Sequence, residues 1–118
     1  MLSGLSILVV EDDYMVLVGI QDMLVDLGCD AVTCVPTVEK ALSALEAHSF
    51  DAAMLDLNLN GEKSYPVADV LANRGIPFMF ASGYGVHGLS NAYRDRPLLT
   101  KLYDLDELAG MFARILGD

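Results

Sequence analysis

Three observations predict a doubly wound α/β domain built on a five-stranded parallel sheet. Five short apolar segments alternate with helix-periodic ones along 118 residues. The apolar segments lack a polar face, as strands covered on both sides must. Parallel neighbours also need crossover connections, which the intervening segments are long enough to supply. Right-handed crossovers then set helices on both faces of the sheet.

Each element follows from its own residues. Ser6-Ile7-Leu8-Val9-Val10 is short and β-branched, the pattern of a buried strand. Residues 14–27 carry Val16, Ile20, Met23, Leu24 and Leu27 at helical spacing, and Gly28 stands just past the end, where a C-cap belongs. Residues 30–35 are the second strand. Pro36-Thr37 opens a helix that runs to His48, with Val38, Ala41, Leu42 and Leu45 on one face. Residues 52–56 form the third strand and end on a carboxylate. A polar loop over 57–63 is expected next, then a short helix over 66–74 that stops at Gly75.

The fourth strand covers 76–82. Beyond it come Gly83, Gly85 and Gly88 around Tyr84 and His87, so the helix after this strand is short or irregular, confined to 89–94. Residues 98–101 are the last strand. Asp104 with Glu107 three residues on predicts a capping box, and Leu105, Leu108, Met111, Phe112, Ile115 and Leu116 give the final helix its apolar face. Residues 1–118 thus read as one domain, the size a single core of this length supports.

Composition removes several function classes. With 53% hydrophobic residues the chain lies far from the disordered regime. Seven Lys+Arg against 17 Asp+Glu give a formal charge of −10, a poor basis for neutralising nucleic-acid phosphates. An acidic excess suits cations, cationic partners or plain solubility. The first apolar run is cut by Glu11-Asp12-Asp13, far short of the roughly 20 apolar residues of a spanning helix. The start, Met1-Leu2-Ser3-Gly4-Leu5-Ser6, has no basic residue of the kind a signal peptide needs. A cytoplasmic protein is expected, with no membrane and no nucleic-acid partner. Cys29 and Cys34 fit neither a redox motif nor a zinc set and are expected as small buried hydrophobes.

The polar residues fall where they carry information. In an open parallel sheet, residues just after the strands converge at the carboxyl edge, where ligands bind. Here the first strand ends at Glu11-Asp12-Asp13, the third at Asp56, the fourth at Ser82 and the fifth at Lys101. Taken singly, each has a plain explanation. Acids favour helix starts. Asp56 with Asn58 and Asn60 suits a turn, Ser82-Gly83 is a common turn pair, and a lone lysine is usually solvated. Their joint occurrence argues for a site. Clustered carboxylates repel one another unless a cation neutralises them, and Mg²⁺ prefers one or two carboxylates, several waters and a phosphate oxygen. A lysine beside them suits a phosphoryl oxygen.

These residues resemble the receiver domain of bacterial two-component response regulators. The likeness spans essentially the whole chain, from Ile7-Leu8-Val9-Val10-Glu11-Asp12-Asp13 through Asp56-Leu57-Asn58-Leu59-Asn60-Gly61 to Lys101 and the last helix. Phe80-Ala81-Ser82-Gly83-Tyr84-Gly85 looks like the signature of single-domain alphaproteobacterial receivers, whose fourth strand ends in Phe-Ala-Thr-Gly-Tyr.

The resemblance implies a flavodoxin-like fold and a site. Asp56 matches the phosphoacceptor. Glu11, Asp12 and Asp56, with the backbone carbonyl of Asn58, match the Mg²⁺ ligands, while Asp13 is left as a helix-start residue. Ser82 and Lys101 match the hydroxyl and lysine that hold the phosphoryl group, and Asn58 and Tyr84 the positions that set its lifetime. The implied partners are a sensor histidine kinase or histidine phosphotransfer protein and a downstream protein target. No separate substrate is turned over: the chain would catalyse only its own phosphorylation and dephosphorylation at Asp56. With Asp118 ending the chain after one domain, a stand-alone regulator is expected.

Two departures stand out. The family's lysine precedes proline in a cis bond, whereas Lys101 precedes Leu102; a cis non-proline bond costs about 3 kcal/mol, so trans with a displaced lysine is expected. Leu98 occupies the place of the aromatic switch residue, which leaves Tyr84, or reordering of the glycine-rich segment 83–88, to transmit the signal. These departures keep open a phosphorylation-independent pseudo-receiver that only binds proteins. A phosphatase would want a second aspartate where Asn58 stands, and a flavin module a hydroxyl-rich loop after the first strand.

Overall fold

The computed structural model describes residues 2–83, 89–93 and 96–117. Strands β1 (Ser6–Val10), β2 (Ala31–Val35), β3 (Ala52–Asp56), β6 (Phe78–Ser82) and β7 (Leu98–Thr100) form one sheet in the order β2-β1-β3-β6-β7, all parallel. Helices α1 (Tyr14–Asp26), α2 (Val38–Ala47), α3 (Tyr65–Asn73) and α4 (Leu105–Ile115) cover it. The winding reverses beside β1, so the carboxyl ends of β1 and β3 flank the switch point.

Strand alternation divides the core in two. Leu8, Val10, Ala53, Leu55, Phe78 and Phe80 face α2 and α3, whereas Ile7, Val9, Ala52, Met54, Met79 and Ala81 face α1 and α4. Both sets are almost fully buried, which is why these strands read as unbroken apolar runs.

Helix starts and stops follow local chemistry. The Asp13 carboxylate accepts the N–H groups of Met15 and Val16 at 3.0 and 3.3 Å, and Thr37 Oγ1 accepts that of Lys40 at 3.1 Å. At α4 the capping box is complete: Asp104 Oδ1 accepts from Glu107 N–H at 2.8 Å, and Glu107 Oε1 accepts from Asp104 N–H at 3.3 Å. Helix α1 ends one residue earlier than its apolar spacing suggests, with Leu27 as cap and Gly28 at φ 89° taking the left-handed turn.

Three expectations change, and one is met. The segment 57–63 is not a polar loop. Its β4 (Asn58–Leu59) and β5 (Glu62–Lys63) pair antiparallel, with Asn60 at φ 55° and Gly61 at φ 91° in the turn, and Leu57 and Leu59 are buried. The fourth main strand begins at Phe78 rather than Ile76, because Pro77 has no N–H for the ladder. The expected short helix within 89–94 is met, in its described part, by a single 3₁₀ turn, Asn91–Tyr93. Cys29 and Cys34 are unpaired and half-buried, lodged at the rim of the α1 and α4 core rather than inside it.

Candidate functional site

The carboxyl edge of the sheet brings Glu11, Asp12 and Asp56 together. One ligand oxygen from each lies within 4.8 Å of the others, with Glu11 and Asp56 buried and Asp12 open to solvent. Glu11 follows β1 and is held by its own backbone, its N–H donating to Val35 O at 3.0 Å. Its Oε2 accepts the N–H of Asp13 at 3.1 Å, so the acid after the pair orients Glu11 as well as capping α1.

Lys101 closes the cluster from the other side of the sheet. Its Nζ lies 2.9 Å from Glu11 Oε1 and 3.2 Å from Asp56 Oδ2. Its backbone N–H donates to Ser82 O at 2.9 Å, tying the end of β7 to the end of β6. The Lys101–Leu102 bond is cis, correcting the expected trans bond, and Lys101 is not displaced: two carboxylates hold its ammonium at the site. Ser82 is buried at 4% exposure, one residue past the register partner of Asp56. Asn58 N–H donates to Asp56 Oδ1 at 3.3 Å, which places Asn58 beside the cluster.

Charge is managed tightly here. Burial pushes the Glu11 carboxyl up to about 7, with Asp56 adding to the rise; Lys101 and the Asp13 N–H pull the other way without winning. Burial disfavours the Lys101 ammonium, but Glu11 and Asp56 outweigh it and hold the group charged. The Tyr103 hydroxyl is buried without a hydrogen-bond partner among the described residues, and burial followed by the charges of Glu11 and Asp56 raises it above the usual phenol range.

Three carboxylate oxygens around one point, two walls buried and one open, suit a hard divalent cation that keeps several waters. The open side at Asp12 leaves room for water and for a further oxygen ligand. Nearby, a groove of about 510 Å³ runs between Asp12, Pro36, Thr37 and the β4–β5 hairpin. Tyr84, with the rest of 84–88, lies outside the described residues, so the sequence motif is seen only as far as Gly83.

Sequence reasoning missed the hairpin. Its signal was present as Asn60-Gly61, the preferred pair of a two-residue hairpin turn. It also missed an aromatic cluster beneath the site's rim, which joins Tyr65, Phe78, Phe80 and Tyr93.

Comparison with known proteins gives the class. The solution structure of SdrG from Sphingomonas melonis Fr1 is 42% identical, with a TM-score of 0.85, over 95% of this chain and 96% of that one. The BeF3-activated conformation of SdrG from Pseudomonas melonis Fr1 is 41% identical with a TM-score of 0.84, covering 98% and 99% of the two chains. The receiver domain of a sensor histidine kinase from Pseudomonas aeruginosa PAO1, which has a magnesium ion coordinated in its active-site cleft, is 25% identical with a TM-score of 0.79, over 98% and 100%. No family model and no curated protein matches the chain. The protein belongs to the response regulator receiver domains, signalling regulators of two-component systems. No helix among the described residues is long and apolar enough to cross a membrane.

Proposed function

We propose that this protein is a cytoplasmic, Mg²⁺-dependent response regulator that accepts a phosphoryl group on Asp56 from a histidine kinase or a histidine phosphotransfer protein and thereby changes its affinity for a protein target. One observation carries the proposal: Lys101 Nζ, Asp56, Glu11 and Asp12 meet at one sheet edge, with Lys101 3.2 Å from Asp56 Oδ2.

The chemistry is positioning and charge neutralisation. An Asp56 carboxylate oxygen attacks phosphorus as the P–N bond of a phosphohistidine breaks, and the imidazole leaves with the bonding pair. The product is an acyl phosphate. Glu11, Asp12 and Asp56, with the carbonyl of Asn58, would hold Mg²⁺, which supplies positive charge to the phosphoryl oxygens. Lys101 shifts from bridging two carboxylates to pairing with a phosphoryl oxygen, and Ser82 donates a hydrogen bond to another. Hydrolysis of the acyl phosphate restores the carboxylate and resets the switch. The alternative, a scaffold that binds proteins without phosphate, differs in predicting that acetyl phosphate with Mg²⁺ adds nothing to Asp56; the lysine 3.2 Å from Asp56 Oδ2 supports the phosphoryl-accepting reading.

Intact-mass measurement after incubation with acetyl phosphate and Mg²⁺ tests the chemistry. One added phosphoryl group is expected on the wild type, none on Asp56→Asn and none in EDTA. An unmodified wild type would leave the scaffold function as the better account.

A further inference from the structure

Segment 89–93 is fastened to helix α3 by two tyrosines. The Ser90 N–H donates to Tyr65 Oη at 2.6 Å, and the Tyr93 hydroxyl donates to the Asp69 carboxylate. The two rings stack with centroids 5.4 Å apart and planes 6° from parallel. Both rest edge-on against Phe80, at 6.1 Å for Tyr65 and 5.5 Å for Tyr93, and Arg96 closes the cluster with its guanidinium 4.9 Å from the Phe78 ring centre.

The position of this cluster matters more than its size. Tyr65 begins α3, after the segment that leaves Asp56, and residues 89–93 lie next in the chain after the stretch that follows Ser82. The tyrosine pair therefore ties α3 to residues 90–93, each downstream of a strand that ends at the candidate phosphoryl site. Phe80, the shared seat of both rings, is in register with Leu55, next to Asp56, and with Leu98 on β7. Leu98 has no ring to turn, but Tyr93 packs a ring on Phe80 from the neighbouring segment.

Among the described residues Tyr93 is held by ring contacts and one side-chain hydrogen bond. It sits half-buried, on a single 3₁₀ turn, with one side-chain hydrogen bond to an exposed carboxylate. Leu89 is buried in the core and anchors the start of the segment. The part that can undock is therefore the turn after it, held on α3 by stacking and the two side-chain hydrogen bonds of Tyr65 and Tyr93, and small displacements of its seat change its population.

We propose that Tyr65, Tyr93 and Asp69 form a latch that holds residues 90–93 on α3 in the unphosphorylated protein, and that phosphorylation of Asp56 releases it. This inference rests on Asp56 being the phosphoacceptor. Release frees the Ser90 amide and the Tyr93 hydroxyl, and uncovers the ring faces of Tyr65 and Tyr93 as part of the surface a target meets.

Amide exchange of Ser90, read by NMR on the full chain with and without beryllofluoride and Mg²⁺, tests the latch. ¹⁹F signals report separately whether beryllofluoride binds. With it bound, Ser90 exchange is expected to quicken by about five- to tenfold, the worth of one hydrogen bond. Tyr65→Phe, which removes the acceptor and keeps the ring, should show the fast exchange without beryllofluoride and little further change with it. Tyr93→Phe should do the same by losing Asp69. If beryllofluoride binds and Ser90 exchange stays unchanged, or if both variants exchange as slowly as the wild type, the latch is wrong while the phosphoryl site stands. If beryllofluoride does not bind, the phosphoryl site fails and takes the latch with it.

Discussion

Glu11 shows how one residue sets the conditions under which the site is stable. Its carboxyl is 2% exposed and is pushed up to about 7, because burial and the neighbouring Asp56 disfavour a second negative charge. In the unfolded chain the same group titrates near its ordinary value of 4.5. Between these two values the folded state holds the proton more tightly, so stability falls as pH rises through the window and levels off above about 7. Urea unfolding in EDTA at several pH values should show that decline, and Glu11→Gln, which has no proton to lose, should lack it. Lys101 works in the opposite sense: its ammonium is held charged by the two carboxylates, so Lys101→Ala leaves Glu11 and Asp56 facing each other without a cation. That variant should be less stable above pH 7 than below pH 5, a pattern that unfolding curves at the two pH values would reveal.

At the scale of elements, local chemistry and long-range packing were unequally legible in the sequence. The capping box at α4 could be seen as Asp104 and Glu107 because both partners lie three residues apart, and Asp104→Ala should cost about 1 kcal/mol in urea unfolding. The strands were legible because both faces of each are covered, so apolar runs mark them directly. The carboxyl-edge acids and Lys101 followed from where those runs stop. The hairpin over 58–63 was masked by its polar composition, although Leu57 and Leu59 anchor it in the core. Its turn depends on backbone that residues with a Cβ resist: Gly61 sits at φ 91°, and Gly61→Ala should destabilise by about 1 to 2 kcal/mol and loosen the loop after Asp56. The tyrosine latch was illegible for a different reason. Tyr65, Asp69 and Tyr93 show no shared periodicity, and only the fold brings α3 against residues 24 to 28 positions further along the chain. The cis Lys101–Leu102 bond was likewise invisible, since nothing in a Lys-Leu pair announces it.

For the molecule as a whole, a formal charge of −10 has an uneven distribution that makes a testable demand. Three of the 17 acids, Glu11, Asp12 and Asp56, place oxygens within 4.8 Å of one another, and one lysine is set against them. Two kinds of change should relieve that repulsion, and they differ in what they leave behind. A bound divalent ion neutralises the cluster and favours only the folded state, so at ten times its dissociation constant Mg²⁺ should add about 1.4 kcal/mol and raise the melting temperature by about 5 °C. Removing a carboxylate also relieves the repulsion, but it destroys the ion's site. Asp12→Ala, at an exposed position with no core to disrupt, should therefore melt at or above the temperature of the metal-free wild type, yet gain little from Mg²⁺. General screening by salt would act on all 17 acids alike, so NaCl at the same ionic strength should raise both proteins together. Calorimetric scans in EDTA, MgCl₂ and NaCl separate the three cases, because only a site-bound ion makes the gain depend on Asp12. Equal Mg²⁺ gains in the wild type and Asp12→Ala would show that the acids act as a diffuse field rather than as a metal site.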